Sequence, residues 1–253
     1  MKLYGDYHTH TLYSDGVGSI EANLNAARKK GLSAIAISDH GFNNPSPFAL
    51  RYATAVMQSR RLEILREDYK DLKIYHAIEA DIISTEGDID MRPEQFELFD
   101  FILAGFHRFA RPWSLKDFFK LYIPAYISDV IRPSGDVIRR NTRAFCQMIK
   151  RYPVGILAHI DDMCIVNARE VAKCCADYGT LLELNAKHID LTYRSFDQIL
   201  STDVKLIADT DAHYPQRIGC FEHVIEYLLP YPEIWERVVN AHTEEIKFRK
   251  YEY

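Results

Sequence analysis

The sequence predicts an α/β barrel of seven parallel strands, on three observations. Short apolar runs alternate with helical patterns along the whole 253-residue chain, as repeated βα units require. Seven such runs can be counted, one fewer than the eight of the usual barrel. Six of the seven end in histidine or a carboxylate, the pattern expected where strands open onto one polar centre at their C-terminal face.

The predicted strands are 2–7, 33–37, 73–78, 101–104, 154–158, 181–184 and 205–208. Between them, Ser19 is a plausible N-cap for a helix over 20–30. Asn23 stands where a capping box prefers Glu or Gln, and Gly31 supplies the C′ stop. Further helices are expected over 51–69, 136–151 and 168–178, the last ending at Gly179, with a final helix over 233–243. No repeat, low-complexity stretch or linker interrupts this rhythm, so one domain spans 1–253. The exception is an accessory segment at about 109–135. Some 28 residues separate His107 from the helix near Asp136, and they carry Trp113, Phe118, Phe119, Tyr122 and Tyr126 together with Arg108, Arg111 and Arg132. A stretch of that length is either a packed accessory helix or a lid over a substrate.

Bulk composition narrows the function classes. At 47% hydrophobic residues the chain can bury a substantial core, and its net charge of −5 is poor footing for non-specific binding to a nucleic-acid backbone. The five cysteines are odd in number, lack CxxC spacing and include an adjacent pair. They read as reduced thiols of a cytoplasmic protein. No signal peptide or membrane-spanning stretch is recognisable in the sequence.

The chemistry is concentrated at the strand ends. In His8-Thr9-His10, side chains at i and i+2 of extended chain share a face, so both imidazoles can converge on one ion. Asp15 follows in Ser14-Asp15-Gly16; alone it reads as an Asx-turn aspartate. The strand Ile35–Ile37 runs into Asp39-His40, and Ile74–Ile78 runs into Glu79. Buried without a partner, Glu79 would cost several kcal/mol, so it meets a cation or faces water. His107 and His159 each follow an apolar run. Asp211-Ala212-His213 repeats the i, i+2 geometry after the seventh strand, which in a closed barrel neighbours the first. Singly, each residue has a bland structural explanation. Jointly, neutral imidazoles and carboxylates at six strand ends form a ligand set for Zn²⁺, Mn²⁺ or Fe²⁺. Of the other histidines, His76 lies inside a strand, opposite in parity to its outlet, and His223 and His242 fall in the C-terminal helices. His188, after Asn185, is a candidate outer or substrate contact.

The motifs HTHTLYSDG, ISDHG, IEADI, LAGFHR, LAHID and DTDAHYP, in this order from Tyr7 to Pro215, resemble those of the PHP (polymerase and histidinol phosphatase) family. The resemblance implies a distorted, TIM-like (β/α)7 barrel with a trinuclear metal site at the C-terminal ends of the strands. Carried over by position, His8, His10, Glu79 and Asp211 would hold one ion. Glu79 would bridge to a second held by His107 and His159, and Asp15, His40 and His213 would hold the third. Ala104-Gly105-Phe106-His107 departs from the GSxH motif of the histidinol-phosphatase branch and looks more like the small stand-alone phosphoesterases.

The expected activity is metal-dependent hydrolysis of a small phosphomonoester. A metal-activated hydroxide would attack, because two ions lower the pKa of a shared water from about 15.7 toward roughly 7. No protein nucleophile is assigned. Arg108, Arg111 and Arg217 are candidate phosphate contacts, since a guanidinium fork suits phosphate oxygens. The competing readings are a nuclease or nucleotide phosphatase on the same metals, a histidinol phosphatase, and a non-catalytic metal-binding domain. A hydrolase of the amidohydrolase kind is a further alternative; it would need a carboxylated lysine, and no lysine is expected suitably placed after a strand.

Overall fold

Alternation along the strands decides which side chains enter the barrel and which meet the helices. The structure, a computed structural model, describes residues 2–45, 48–160, 162–188, 193–243 and 245–250, with only the backbone of Tyr193 and Arg194. Seven strands are present among them: β1 (Gly5–Asp6), β2 (Ala34–Ile37), β3 (Lys73–Asp81), β4 (Phe101–Gly105), β5 (Val154–Leu157), β6 (Leu181–Asn185) and β7 (Leu206–Asp209). All neighbours are parallel, in the order β1 through β7. The ends of the sheet meet where Thr9 pairs with Ala212, with His10 N donating to Ala212 O at 2.9 Å. The result is a nearly closed, distorted (β/α)7 barrel, as the resemblance implied.

Inside the barrel, small Ala34, Ala36 and Ala77 interdigitate with large Tyr7, Tyr75, Phe101 and Leu103. Phe248, near the C-terminus, stacks on Phe101 with ring centroids 3.8 Å apart and joins this inner cluster. The opposite parity, Ile35, Ile37, Ile74, Ile78 and Ile102, packs in the outer core that the helices share. Continuing the inward parity of β3 through Tyr75 and Ala77 delivers Glu79 to the interior.

The helices are α1 (Ile20–Lys29), α2 (Tyr52–Asp68), α3 (Leu115–Asp117), α4 (Ile123–Ile127), α5 (Gly135–Arg151), α6 (Ala168–Tyr178), α7 (Tyr193–Leu200) and α8 (Glu222–Leu228). Ser19 caps α1 by accepting from Ala22 N, and Gly31 adopts φ +73° beyond its end. In α2, Ala55, Gln58, Leu62 and Leu65 form one buried helical stripe. Ser134 and Asn167 cap α5 and α6, and Gly179 ends α6 in the left-handed region.

Asn23, early in α1, is buried and its Nδ2 donates to His10 O at 2.8 Å. Two expectations are corrected. The final helix over 233–243 is absent; two 3-10 turns, Pro232–Arg237 and Val239–Ala241, replace it. Val238 between them is extended and bridges to Leu206, while the side chain of Asn240 enters the seam between β1 and β7. Consequently His242 lies past a turn rather than in a helix, its Nε2 2.8 Å from Trp235 O.

The segment after His107 is helical in part, with α3 and α4 joined by a π-helical turn over Phe118–Tyr122. Leu121 and Tyr122 are buried, whereas Trp113 and Phe119 face outward. All five cysteines are free. Among the described residues no helix is long and apolar enough to cross a membrane.

Candidate metal centre

Six strand ends bring the nine predicted ligands to one end of the barrel. The extended chain beyond β1 turns His8 and His10 inward and Thr9 outward. Thr9 N donates to Ser38 Oγ (2.9 Å) and its Oγ1 to Ala36 O (2.6 Å), locking this segment against β2. Asp39, next to His40, is a brace for the same loop. Its carboxylate accepts from Thr11 N, Thr11 Oγ1 and Gln58 Nε2 at 2.6–2.7 Å. Gly16 sits so close to this turn that a Cβ there would come within 2.5 Å of the His10 carbonyl carbon.

Glu79 lies at the middle. Its Oε1 faces His159 Nε2 at 2.7 Å and His107 Nε2 at 3.5 Å. Its Oε2 faces His40 Nδ1 at 2.9 Å, His8 Nε2 at 3.2 Å and His10 Nε2 at 3.5 Å. Asp211 Oδ1 lies 3.3 Å from His10 Nε2 and 3.8 Å from His8 Nε2. Asp15 Oδ2 meets His213 Nε2 at 3.1 Å and His40 Nε2 at 3.4 Å. Three groups have ligand atoms close enough for a shared ion: His8, His10 and Asp211; His40, Glu79 and His107; and His10, Asp15, His40 and His213. These overlap the sets implied by the resemblance but do not coincide with them: Glu79 is not in the group of His8, His10 and Asp211, and His159 is in none of the three. His40 reaches Glu79 as well as Asp15, and His10 stands beside the Asp15 group as well as Asp211.

The polar atoms here are costly unless something joins them. His8 Nε2, both ring nitrogens of His10, His40 Nδ1 and Glu79 Oε2 are buried without a well-aligned hydrogen bond, although Glu79 Oε2 lies 2.9–3.5 Å from His40 Nδ1, His8 Nε2 and His10 Nε2. The balance of burial and charge agrees. Burial opposes charge on Glu79, yet His8, His107 and His40 hold its carboxyl well below the usual range. Asp211 is likewise depressed despite burial, by His8, His10 and Lys187. Burial opposes the protonated form of His8, but Glu79, Glu183 and Asp211 raise it well above an ordinary imidazole. His159 rises to about 8 against its burial, through Glu79. His10 falls to about 4, through burial and the neighbouring His40. Anions this deeply buried demand positive charge at their centre. Divalent cations fit the donor set, which is imidazole nitrogen and carboxylate oxygen throughout.

Outer hydrogen bonds aim the rings. His8 Nδ1 lies 2.6 Å from Glu183 Oε1 and His107 Nδ1 lies 2.7 Å from Asp81 Oδ1; His213 Nδ1 lies 2.9 Å from Asp211 O. Each leaves Nε2 turned to the site. Glu183 also accepts from His159 N at 2.7 Å through Oε2. Sequence reasoning passed over Glu183 and, while including Asp81 in the IEADI motif, gave it no role, although Glu183 shares the inward parity of Leu181, a signal that strand alternation provides. His159 and Asp211 hold left-handed φ values of +27° and +51°, uncommon for residues with side chains. Gly105 makes room for the His159 ring, since a Cβ there would lie 2.8 Å from its Cε1.

A cavity of about 420 Å³ opens directly over this centre. Asp15, His40, His107, His159, Asp211 and His213 form its floor; Pro45, Phe48, Phe109 and Met163 give it an apolar wall. His188 reaches the lining, with Nε2 3.6 Å from Asp211 Oδ2 and Nδ1 3.6 Å from Asp162 Oδ1. The three arginines are elsewhere. Arg108 pairs through its guanidinium with Asp129, and its carbonyl accepts from Tyr126 Oη, so it fastens the accessory segment. Arg111 and Arg217 are exposed and do not line the cavity. The accessory segment contributes Phe109 to the cavity wall. Lys187, two residues past β6, does line it, which corrects the expectation that no lysine follows a strand suitably.

His76 lies outside the barrel against α2, with Nε2 3.0 Å from Gln58 Oε1 and Nδ1 3.0 Å from Leu98 O. His223 is in α8.

Comparison with known proteins agrees with this geometry. A protein named probable phosphatase from Thermoanaerobacter sp. (strain X514) is 25% identical over 257 residues, covering 98% of this chain and 94% of its own length. Another protein of that name, from Caldanaerobacter subterraneus subsp. tengcongensis, is 26% identical over 259 residues, with 98% and 91% covered. Among solved structures, histidinol phosphate phosphatase from Lactococcus lactis subsp. lactis, complexed with zinc, L-histidinol and phosphate, superposes with a TM-score of 0.66. It is 17% identical and covers 98% of this chain and 97% of that one, a similarity of fold. The PHP domain family pattern matches residues 6–193, and the chain belongs to that family.

Proposed function

We propose that this protein is a metal-dependent phosphatase acting on a small phosphomonoester, with its metals held by His8, His10, Asp15, His40, Glu79, His107, His159, Asp211 and His213. The observation that carries this reading is the convergence, beneath an open cavity, of buried imidazole nitrogens and a Glu79 oxygen without well-aligned hydrogen bonds. Structural groups buried in this way are normally satisfied. The relatives named as phosphatases support the reaction class, and the zinc and phosphate in the Lactococcus structure support the ligands.

Divalent ions at such a site supply Lewis acidity: they acidify water toward neutral pH and neutralise charge on phosphoryl oxygens. The chain's own residues do the rest. Glu183, Asp81 and the Asp211 carbonyl fix the rings of His8, His107 and His213, so Nε2 of each is presented inward without reorganisation. Glu79 directs its two oxygens at different imidazoles, Oε1 to His107 and His159, Oε2 to His8, His10 and His40, so its carboxylate would be shared between the two ligand groups when metal is bound. No serine, threonine or cysteine lines the cavity among the described residues, which favours water as the nucleophile. The Pro45, Phe48, Phe109 and Met163 wall shields the reacting centre and suits a compact, partly apolar leaving group.

The test is direct. Purified protein should contain Zn, Mn or Fe, release phosphate from p-nitrophenyl phosphate and leave short oligonucleotides intact. Removing metal with a chelator should abolish turnover, and adding it back should restore it. Glu79→Ala and His159→Ala should each lower turnover more than about tenfold. Protein free of metal after reconstitution, or variants as active as wild type, would overturn the proposal.

A further inference from the structure

The phosphate of a phosphomonoester carries two negative charges near neutral pH, and something beyond the ligand cluster must recognise them if monoesters are preferred over diesters. Lys187 is the one lysine or arginine on the cavity wall among the described residues. Its position is built rather than incidental. Asn185 ends β6, and its Oδ1 accepts from the backbone N of Lys187 (2.9 Å) and of His188 (3.2 Å), folding the chain into an Asx turn over the barrel mouth. Asn185 Nδ2 in turn donates to Glu183 Oε2 at 3.0 Å, and Glu183 holds His8 and His159. The turn carrying Lys187 is therefore tied to the same buried carboxylate that aims the candidate metal ligands.

The ammonium group sits on the cavity side of Asp211. Nζ lies 3.2 Å from Asp211 Oδ2, whereas Oδ1 of the same carboxylate faces His8 and His10. An ammonium has three donors. Contact with Asp211 uses one, and the side chain is 46% exposed, which leaves the others able to turn into the cavity. The same cavity is also lined by the apolar side chains of Phe48, Phe109 and Met163. A phosphomonoester whose phosphate rests on the histidine-carboxylate floor would present a non-bridging oxygen to Lys187 and its organic part to these side chains.

We propose that Lys187 is a substrate-binding residue that grips a non-bridging phosphate oxygen and confers preference for phosphomonoesters over phosphodiesters. The proposal rests on the phosphatase reading and adds the residue that senses the second negative charge. Such an ammonium–phosphate hydrogen bond corresponds to about tenfold to a hundredfold in binding.

The test compares wild type, Lys187→Met and Lys187→Arg, each metal-loaded and checked for equal metal content. Lys187→Met should raise KM for p-nitrophenyl phosphate and weaken competitive inhibition by inorganic phosphate by a similar factor of about ten or more, with kcat changed much less. Turnover of bis(p-nitrophenyl) phosphate should change little, and Lys187→Arg should recover part of the phosphate affinity. Phosphate inhibition within twofold of wild type in Lys187→Met, or equal losses on monoester and diester, would overturn the role of Lys187 while leaving the phosphatase reading intact. Wild-type protein that neither cleaves the monoester nor binds inorganic phosphate by calorimetry would overturn both.

Discussion

At the scale of single residues, the centre depends on groups one bond removed from the cavity. Glu183 contacts His8 through one oxygen and the backbone of His159 through the other, so one carboxylate fixes two candidate ligands. Glu183→Ala should weaken zinc affinity by about 10–100-fold, measured by competition with a chelating dye, while the fold persists. Unchanged affinity would mean that the ring of His8 is held by packing alone. The left-handed backbone at His159 and Asp211 belongs to the same economy: both residues adopt conformations that cost about 1–3 kcal/mol, and the bonds around them hold them there. The nine candidate ligands were readable because their chemistry is unusual at strand ends. Glu183 and Asp81 were given no role, since a carboxylate within or at the end of an apolar strand discloses its partner only when the partner is in place.

At the scale of elements, glycine and parity set the site's shape. Gly105 ends β4 directly beneath His159, whose Cε1 would lie 2.8 Å from an added Cβ. Gly105→Ala should displace that imidazole and lower turnover about 100-fold with little change in circular dichroism. Wild-type activity would show that the ring has room to move. On the outer face of β3, His76 is pushed to about 4 by burial, against the hydrogen bond to Leu98 O. Its folded value lies below its unfolded value of about 6.5, so the native state binds fewer protons between pH 6.5 and 4. Stability is therefore full above pH 6.5 and declines as pH falls toward 4, by about 3 kcal/mol from this group. Urea unfolding at pH 7.5 and 5 should show a smaller pH-dependent loss in His76→Gln than in wild type. Periodicity located every strand and the helices α1, α2, α5 and α6, because these elements bury one consistent face. It failed over 233–243, where Val238 must pair with Leu206 and Asn240 must enter the barrel seam. Those tertiary contacts divide what the local pattern would have joined.

At the scale of the whole molecule, the barrel is closed by a residue 235 positions from its partner on β1. Asn240 Nδ2 donates to Gly5 O (2.9 Å) and Ala208 O (2.7 Å), its Oδ1 accepts from Ala208 N (3.0 Å), and its backbone O accepts from Tyr4 N (2.8 Å). The side chain thus bridges β1 and β7 where their own ladder is short. Asn240→Ala leaves buried backbone groups unpaired and should cost about 3 kcal/mol, or about 10 °C in Tm at this chain length. A Tm within 2 °C of wild type would show that the Thr9–Ala212 pairing alone suffices for closure.

The sequence by itself determined the barrel class, the family resemblance and the identity of the candidate ligands. All three follow from local facts: alternation of apolar runs, and imidazole or carboxylate placed where each run stops. Tertiary structure alone decided which candidate ligands lie close enough to share an ion, because His40 and His10 reach across groups that linear order separates. It also decided that Arg108 fastens the accessory segment to Asp129 while Lys187 overlooks the cavity. The physical reason is common to both. A residue's chemistry is carried by its own side chain, but its partners are set by the barrel's closure, which brings the first and last strands side by side.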